Sequence, residues 1–499
     1  MAPLLRQPKR FAREKYDLII IGGGVQGVML TLEASCRGLK PLLLEAEDFG
    51  GATSFNSLRI IHGGFRYLQT LDMQRLMQSA RERRWFLKTF PHLTRPLPCM
   101  VPLYGDGLRR PLPMRVALSL YNGVTGKRNQ GMPVETQIPS GGLLSSEKVK
   151  ERFPLVPTDG LRGGAIWYDA FVEDSQRLII DALHLACHNG AAVLNYCPAK
   201  ELMQESGRVA GVAATDSETG ERYEFSAGVV VNNTGPWCRD FSARYDCDRP
   251  ELFRSMIAWN ILFDREQLSD CGIAVKSDLT SHTYFIVPWK GKLLAGTGHA
   301  PWPSESRKPL PTEAQINEFI EDLNHAIPGL ELNAEEIDYV LPGLQSATYE
   351  GGSDLATREV LVDHGTQGGP RGLFSVSGVK FTTARQVAEK TLMMIFPKVP
   401  AADPISSHTA QSPGENSHKL DGSIDKETGE MLFKIADDES VVHLDDLFFR
   451  RTTLWEKPKQ IRKLAPEVCH LLGWQKDRAE HEIERLLNLV DRKITIHQV

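Results

Sequence analysis

Short apolar runs followed by glycines or polar residues recur along this chain and indicate buried strands. Leu18–Ile21 is such a run, too short for a helix and rich in β-branched side chains. A helical stretch follows it, and residues 42–44 form a second apolar run. Strand, helix and strand in this order predict a parallel β–α–β unit at the start of an α/β fold.

A glycine-rich turn ends the first predicted strand. It consists of Gly22, Gly23 and Gly24, and with Gly27 the spacing is G-x-G-x-x-G. The first glycine of this pattern permits a tight turn, the second lets backbone approach a pyrophosphate, and the third lets the helix pack on the strand. Glu45, directly after the second strand, can accept both hydroxyls of an adenosine ribose. The segment predicts binding of a dinucleotide, NAD or FAD; a coincidental glycine turn is the alternative.

Length and composition narrow the class of protein. At 499 residues the chain is too long for one core, and its 41% apolar and 24% charged residues are typical of a globular enzyme. A net charge of −5 gives no reason to expect nucleic acid as a partner. Eight scattered cysteines without a C-x-x-C pair indicate reduced thiols in a cytoplasmic protein, and neither a disulfide frame nor a metal site.

The sequence allows two interpretations of a basic, partly apolar segment, and one of them is contact with a membrane surface. The basic residues 1–15 are not followed by a signal peptide, and no window approaches the length of a membrane span. Residues 108–128 interleave apolar side chains with Arg109, Arg110, Arg115, Lys127 and Arg128. Such a helix either lies peripherally on the inner face of a membrane or is the solvated basic edge of a core helix.

Small and hydroxyl residues after the second strand precede an apolar patch and a pair of glycines. The segment 50–69 contains, in order, Thr53, Ser54, Ser57, His62, Gly63, Gly64, Arg66 and Tyr67. Around His62, the two glycines let a ligand approach the backbone closely, beside the polar side chains of Arg66 and Tyr67. This is a plausible lining for a planar cofactor with an anionic substrate next to it.

This segment closely resembles the FAD-dependent glycerol-3-phosphate dehydrogenase family of D-amino-acid-oxidase-like flavoproteins. The corresponding sequence motif of that family is ATSSxSSKLIHGGLRYLE. Here ATS begins at Ala52 and HGGFRYL begins at His62. Further motifs of the family occur in the same order at residues 73–97, 167–178, 230–237, 284–297 and 373–385. Residues 437–453 show a weaker similarity to the family. The resemblance implies an α/β fold: a Rossmann-like FAD-binding domain, an interleaved antiparallel-sheet substrate domain and a small C-terminal helical cap.

Two distant glycine turns favour FAD over NAD. Residues 229–231 predict a strand that turns at Thr234 and Gly235, residues 191–198 predict a strand near an adenine edge, and residues 376–383 predict a strand, a glycine turn and a helix start. Free N–H groups after Gly378 would face the isoalloxazine ring, so that a permanently bound FAD is held at both ends. The residues expected to bind FAD are Gly22, Gly23, Gly24, Gln26, Gly27, Glu45, Ala46, Thr53, Ser54, Ser57, His62, Gly63, Gly64, Ala199, Thr234, Gly235, Gly378, Val379, Lys380, Phe381 and Thr382.

The predicted organisation has four parts. They are a basic N-terminal segment (1–15), an oxidoreductase domain (16–400), a polar linker (401–425) and a C-terminal helical domain (426–499). Within the oxidoreductase domain, residues 16–97, 165–248 and 352–400 are assigned to FAD binding, and residues 98–164 and 249–351 to the substrate subdomain.

The resemblance implies hydride transfer from an alcohol carbon to flavin N5, with the hydroxyl proton taken by a nearby base or water. Arg66, with Tyr67 beside it, is the best candidate for holding an anionic group, because a guanidinium meets phosphate or carboxylate with paired donors. Arg358 and Lys380 match pocket residues of the family. A surface ion pair is the alternative for each of the three cations.

Several pocket positions of the family are changed. The arginine of its GVRPL motif falls on Gln345, and the histidine of its KGSH segment falls on Asn260, which cannot act as a base near neutral pH. Its GTTD becomes residues 296–299, so that His299 is a candidate replacement base, although a lone histidine in a hairpin is more often structural. The second glycine of GGKLTT becomes Val379. These changes cluster in the substrate pocket. FAD binding is therefore still expected, but the identity of the substrate does not follow from the resemblance.

Three functions follow from this pattern. The leading one is an FAD-dependent dehydrogenase that oxidises glycerol 3-phosphate or a related small anion and passes electrons to a quinone; a homodimer and a peripheral membrane contact are compatible with it. The second is an oxidase of another alcohol or an amine that uses O₂. The third is a flavin-binding protein without turnover.

Overall fold

The computed structural model of the chain describes residues 2–105, 110–245, 247–280, 282–303, 309–401, 424–456 and 458–494. Arg109, from the basic stretch, and most of the predicted linker, residues 402–423, lie outside the described residues.

Strands and helices alternate along the first half of the chain, and helices alone follow residue 424 in the part that the structure describes. The strands are β1 (Lys15–Tyr16), β2 (Leu18–Ile21), β3 (Pro41–Leu44), β4 (Ile60–Ile61), β5 (Thr94–Leu103), β6 (Gly142–Leu144), β7 (Gly163–Val172), β8 (Ala192–Leu194), β9 (Ala199–Glu205), β10 (Arg208–Thr215), β11 (Arg222–Ala227), β12 (Val230–Asn232), β13 (Ser255–Glu266), β14 (Gly272–Lys276), β15 (Thr283–Trp289), β16 (Lys292–Pro301), β17 (Ile337–Ser346), β18 (Val360–Asp363) and β19 (Leu373–Ser377). The helices are α1 (Pro8–Phe11), α2 (Val25–Cys36), α3 (Met73–Thr89), α4 (Pro111–Val124), α5 (Ser146–Arg152), α6 (Ser175–His188), α7 (Cys238–Ala243), α8 (Glu313–Ala326), α9 (Ala384–Ile395), α10 (Lys426–Asp438), α11 (Leu444–Asp446), α12 (Pro458–Leu471) and α13 (Lys476–Ile494).

A six-stranded sheet in the order β18-β19-β12-β2-β3-β8 carries the predicted β–α–β unit. All of its neighbouring pairs are parallel except β18 and β19. Every residue of β2 is buried: Leu18 and Ile20 pack in the core on one side, and Ile19 and Ile21 in the core on the other. Burial on both faces explains why the run is apolar throughout.

The strand predicted over residues 191–198 is shorter in the structure, since β8 covers only Ala192–Leu194. Ala199 instead begins β9, which belongs to a separate four-stranded sheet in the order β1-β11-β10-β9. The strand, glycine turn and helix start predicted over residues 376–383 are present, because β19 ends at Ser377 and Thr383 is the N-cap of α9.

A large, mainly antiparallel sheet forms the second body, in the order β17-β13-β16-β15-β14-β5-β7-β4, with β6 paired to β7. The predicted antiparallel substrate sheet is therefore present. Its boundaries differ from those predicted, because β4, the start of β5 and most of β7 come from segments assigned to FAD binding. These strands continue the sheet through register pairs such as Leu97 with Asp169.

The C-terminal helices pack against both bodies. The N-terminal segment reaches the same region, since Leu4 is buried and its N–H donates to the Asp438 carbonyl at 2.7 Å. No helix among the described residues is long and apolar enough to cross a membrane.

Candidate functional site

The glycine turn after β2 has the geometry that the sequence pattern predicts. Gly22 has φ +110°, and a Cβ there would lie 2.4 Å from the Asn233 carbonyl oxygen. A Cβ on Gly27 would lie 1.9 Å from the Gly22 carbonyl oxygen, so α2 packs on the strand at a distance that only glycine allows. Gly24 is the N-cap of α2 and supplies no capping side chain. The start of the helix is therefore open to a phosphate group.

Glu45 follows β3 and faces this turn. Its Oε2 accepts from the Gly23 N–H at 2.5 Å, and its Oε1 accepts from the Glu47 N–H at 2.9 Å. Burial raises the pKa of the carboxyl, while these two N–H donors oppose that shift. The turn and the acidic residue stand in the arrangement that holds the ribose and pyrophosphate of a dinucleotide.

Residues 45–58, the cofactor loop, connect Glu45 to the substrate sheet. Ser54 Oγ accepts from the Val25 N–H at 2.9 Å, which joins the loop to the first turn of α2. Thr53 Oγ1 donates to the Leu344 carbonyl at 3.0 Å. Ala46 is exposed and Ser57 is half-buried. The loop thus spans the gap between the glycine turn and β17.

The second glycine turn, at Gly378, meets the first one. Gln26 on α2 donates through Nε2 to the Lys380 carbonyl at 3.1 Å, and a Cβ on Gly378 would lie 2.2 Å from the Gln26 side chain. Thr382 Oγ1 accepts from the His62 N–H at 3.1 Å. Gln26, His62, Gly378 and Thr382, all predicted cofactor residues, are brought together here. Val379 and Phe381 lie on the same turn, both half-buried.

Three buried side chains, Asp169, Tyr121 and Arg83, pack against the turn at residues 62–64 and fix its backbone. Asp169 accepts from the Gly63 N–H at 2.6 Å, and its other oxygen lies 3.3 Å from His62 Nδ1. Tyr121 donates to the Gly63 carbonyl at 3.1 Å. A Cβ on Gly63 would lie 2.1 Å from the Arg83 guanidinium. The backbone at Gly63 is therefore packed too closely for any side chain.

Asp169 remains ionised in this setting. Burial opposes its ionisation, but hydrogen bonding to His62, the charges of His62 and Arg83 and the Gly63 N–H together hold the pKa of the carboxyl below its usual value. Asp169 and Arg83 were not among the predicted site residues. Asp169 lies within residues 167–178, one of the motifs that carried the resemblance, so that motif was the available signal.

The turn after β12 is organised by Asn232. Its amide donates to the Cys238 carbonyl at 2.7 Å, and its Oδ1 accepts from the Thr234 hydroxyl at 2.8 Å. The hydrogen-bond network orients Asn233 so that it joins the Gly27 N–H to the Val376 carbonyl. Thr234 and Gly235 are half-buried next to the first glycine turn. Ala199, by contrast, lies at the start of β9.

Lys380 and Tyr67 form a direct pair, in which the Lys380 ammonium donates to the Tyr67 hydroxyl. Arg75 lies against the same tyrosine ring, with its guanidinium carbon 5.8 Å from the ring centre. Arg75 also donates to Thr357 Oγ1 at 3.3 Å, which places the neighbouring Arg358 on a loop beside this pair. Arg358 is exposed.

Arg66 lies between the Gly63 turn and Tyr67, on the exposed side of the chain. Across the described residues, no hydrogen bond or ion pair engages its guanidinium. Its paired donors are therefore free for an external anion.

The changed pocket positions have different surroundings. Asn260 on β13 is fully engaged: its amide donates to the Asn56 carbonyl at 2.8 Å and its Oδ1 accepts from Thr297 Oγ1 at 3.1 Å. Gln345 is half-buried on β17, one residue after the Thr53 contact. His299 packs against His282, with ring centres 4.7 Å apart. Burial and the charge of His282 lower the pKa of His299.

The residues present fit FAD. Two helix starts and two glycine turns converge, Glu45 lies against the first turn, and a buried Gln26 oxygen has no hydrogen-bond partner within the described parts of the chain. The individual contacts assigned from the sequence stay predictions.

Comparison with known proteins agrees with this geometry. Residues 17–390 match the family model described as FAD dependent oxidoreductase. The chain is 30% identical over 427 residues to the glycerol-3-phosphate dehydrogenase of Synechocystis, covering 81% of this chain and 74% of the relative. It is 28% identical over 382 residues to the aerobic glycerol-3-phosphate dehydrogenase of Staphylococcus haemolyticus, covering 76% and 67%.

Solved structures share the fold. A glycerol-3-phosphate dehydrogenase from Bacillus halodurans, complexed with FAD, superposes with a TM-score of 0.72 at 19% identity, covering 99% of this chain and 98% of that one. An L-α-glycerophosphate oxidase from Mycoplasma pneumoniae with FAD bound gives a TM-score of 0.53 at 14% identity, covering 77% and 95%. The predictions of fold class, family and FAD as cofactor are confirmed. The chain belongs to the FAD-dependent glycerol-3-phosphate dehydrogenase family and is an FAD-dependent oxidoreductase.

Proposed function

We propose that this enzyme oxidises a small hydroxylated anion, glycerol 3-phosphate or a close relative, and that a quinone receives the electrons. The observation that carries the proposal is Arg66, an exposed guanidinium with no partner among the residues that the structure describes, directly before Tyr67 of the Lys380–Tyr67 pair. All three residues lie on turns that also carry predicted cofactor contacts. Relatives named glycerol-3-phosphate dehydrogenase support the choice of substrate.

The site is cationic enough to hold an anion. Arg66 offers two parallel donors, Lys380 adds a point charge, and the Arg75–Thr357 hydrogen bond keeps the loop of Arg358 nearby. These groups orient the substrate so that its carbinol carbon faces the flavin. Bound FAD supplies the hydride acceptor, N5.

His62 is our candidate for the proton acceptor. One ring nitrogen lies 3.3 Å from the Asp169 carboxylate, which can orient the imidazole and stabilise its protonated form, and the side chain is 45% exposed. Asn260 cannot take this role because both of its polar atoms are engaged with Asn56 and Thr297. The earlier candidate His299 is turned to His282 instead.

Helix α4 supports a peripheral membrane contact. Its residues Leu112, Val116, Leu120 and Val124, spaced by four, are all exposed, and Arg110 and Arg115 accompany them. A helix with an exposed apolar stripe and flanking arginines is suited to an anionic lipid surface. Its opposite face carries Tyr121, which donates to the Gly63 carbonyl. A lipid-soluble quinone would therefore approach the flavin over a short distance.

A second candidate is an oxidase of a less anionic alcohol or an amine. Gln345, a neutral amide where the resemblance places an arginine, favours it. Steady-state assays separate the two. We expect turnover with glycerol 3-phosphate and a soluble quinone analogue, and little oxygen uptake. Turnover only with glycerol or amines, accompanied by oxygen uptake, would support the oxidase, and no turnover with any of them would leave a flavin-binding protein.

A further inference from the structure

Residues 439–456 of the C-terminal domain, the RRT segment, lie between the cofactor loop and several other parts of the chain. Arg451 and Trp455 are almost fully buried, with relative exposures of 1% and 2%. The segment contains α11 and a short π-helical turn over residues 447–451. A basic surface helix would not bury these arginines, so their partners define what the segment does.

The arginines of the RRT segment bind the cofactor loop through Asp48. Arg451 makes two hydrogen bonds to the Asp48 carboxylate at 2.7 and 2.9 Å, and Arg450 adds a third at 2.6 Å. Asn195 donates to the same carboxylate at 2.8 Å. Burial opposes ionisation, but the two guanidinium charges hold the pKa of Asp48 well below its usual value. Asp48 is thus a buried carboxylate held from two sides.

Aromatic residues of the segment hold the other end of the same loop. The Phe55 ring lies 5.2 Å from Trp455 and 6.0 Å from Phe449, measured between ring centres. Trp455 in turn packs on Trp289 of the substrate sheet at 5.4 Å, and its carbonyl accepts from the Tyr339 hydroxyl. The segment therefore links the loop to the large sheet.

The two anchored residues bracket the part of the loop that faces the cofactor. Asp48 is three residues after Glu45, whose carboxylate binds the Gly23 N–H. Phe55 directly follows Ser54, whose hydroxyl binds the Val25 N–H at the start of α2. A displacement at either anchor would move a group that sits on the glycine turn.

We propose that the C-terminal helical domain is part of the FAD site, and that Arg450, Arg451 and Trp455 are positioning residues that hold the cofactor loop in the conformation FAD requires. The inference rests on FAD binding at the two glycine turns and is independent of the substrate. It predicts that cofactor affinity depends on a domain that need not touch the cofactor.

The test compares the affinity of full-length apoprotein for FAD in four variants, measured by quenching of FAD fluorescence. Arg451→Met and Asp48→Asn remove the charge pair at nearly constant volume. Arg451→Lys keeps the charge but not the paired donors. Asp491→Asn is the matched control, because Asp491 of α13 pairs with Arg462 of α12 at 2.7 Å, outside the RRT segment.

We expect Arg451→Met and Asp48→Asn to weaken FAD binding on the order of tenfold and to shrink the rise in Tm that FAD produces. Arg451→Lys is expected to fall between them and wild type, and Asp491→Asn to leave both FAD affinity and the FAD-dependent rise in Tm unchanged. If Arg451→Met gives no soluble protein, Phe55→Leu is measured in its place with the same expectation. Wild-type FAD affinity in the loop-anchor variants, or an equal loss in Asp491→Asn, would overturn the proposal.

Discussion

The Asp169 carboxylate accepts a hydrogen bond from the Gly63 N–H at 2.6 Å, although the two residues are 106 positions apart. This contact ties β7 of the substrate sheet to the turn that lies along the predicted flavin position. The same carboxylate faces His62 Nδ1 at 3.3 Å. One buried group therefore sets both the backbone of the turn and the orientation of the proposed proton acceptor.

Asp169→Asn should slow flavin reduction about 100-fold, because the amide does not stabilise a protonated His62 and keeps one acceptor oxygen, whereas the two carboxylate oxygens face the Gly63 N–H and His62 separately. The Michaelis constant should change much less. Stopped-flow absorbance under anaerobic conditions measures the rate. Glu173→Gln is the control, since Glu173 forms a partly exposed pair with Arg95 at the end of the same strand. Equal rates in Asp169→Asn and wild type would exclude the proposed role of His62.

Gly27→Ala should destabilise the fold by about 3 kcal/mol and release FAD, because the new Cβ would collide with the Gly22 carbonyl. The matched control is Gly123→Ala, also in a helix, where a Cβ would meet nothing within 4 Å. The readouts are the visible flavin spectrum of the purified protein and its Tm. A yellow Gly27→Ala protein with the wild-type Tm would show that the helix can move away from the turn.

Arg66→Ala should raise the KM for the anionic substrate by about 10- to 100-fold and leave FAD content unchanged, because a charge-assisted hydrogen-bond pair is lost. Arg222→Ala is the control: Arg222 is 60% exposed and pairs with Glu201 on the separate four-stranded sheet. Loss of flavin from the Arg66 variant would assign this residue to the cofactor or to folding instead.

Stability toward acid should depend on Asp181. Burial opposes its ionisation, but Arg177 and His92 lower the pKa of this buried carboxyl from 3.8 to about 2. The ionised form is therefore favoured in the fold, and its contribution of about 2 kcal/mol is complete above pH 3.8 and is lost as the pH falls toward 2.

Asp181→Asn tests this by thermal unfolding as a function of pH. Its Tm should lie well below wild type near neutral pH, and the difference should shrink in acid as wild-type Asp181 takes up a proton. Asp248→Asn, in a half-exposed pair with Arg239, should show little difference at any pH. A Tm gap that is constant with pH would argue against the lowered pKa.

Leu112→Glu should reduce sedimentation with anionic phospholipid vesicles. The substitution places a negative charge on the apolar stripe of α4, and the negatively charged lipid surface repels it. Leu279→Glu is the matched control: the two leucines are 70% and 65% exposed, but Leu279 lies in the loop between β14 and β15. Activity with a water-soluble quinone analogue should stay unchanged in both. Equal vesicle binding by the two variants would argue against docking through α4.

The sequence predicted the parts of this protein that depend on local patterns. Leu18–Ile21 is apolar because both faces of β2 are buried, and the glycine spacing reports the collision that a Cβ on Gly22 or Gly27 would cause. Such constraints act over a few residues and can be seen in them.

Long-range pairings could not be predicted in the same way. Nothing near Asp169 in the sequence indicates that its carboxylate reaches Gly63, and nothing near Arg451 indicates a partner at Asp48, 403 positions away. The sequence predicts only helical patterning around this basic pair, and the fold shows that both arginines are buried. Residues 165–172, assigned to FAD binding from the sequence, lie in β7 of the large sheet, and this pairing could not be predicted because register across a sheet is a tertiary property.

The most direct test of the proposed function is anaerobic mixing of the purified holoprotein with glycerol 3-phosphate while the visible absorbance of the flavin is recorded. We expect the flavin band to bleach, a quinone analogue to restore it, and glycerol at the same concentration to leave it unchanged. A protein that carries FAD and is not bleached by glycerol 3-phosphate would contradict the proposed function.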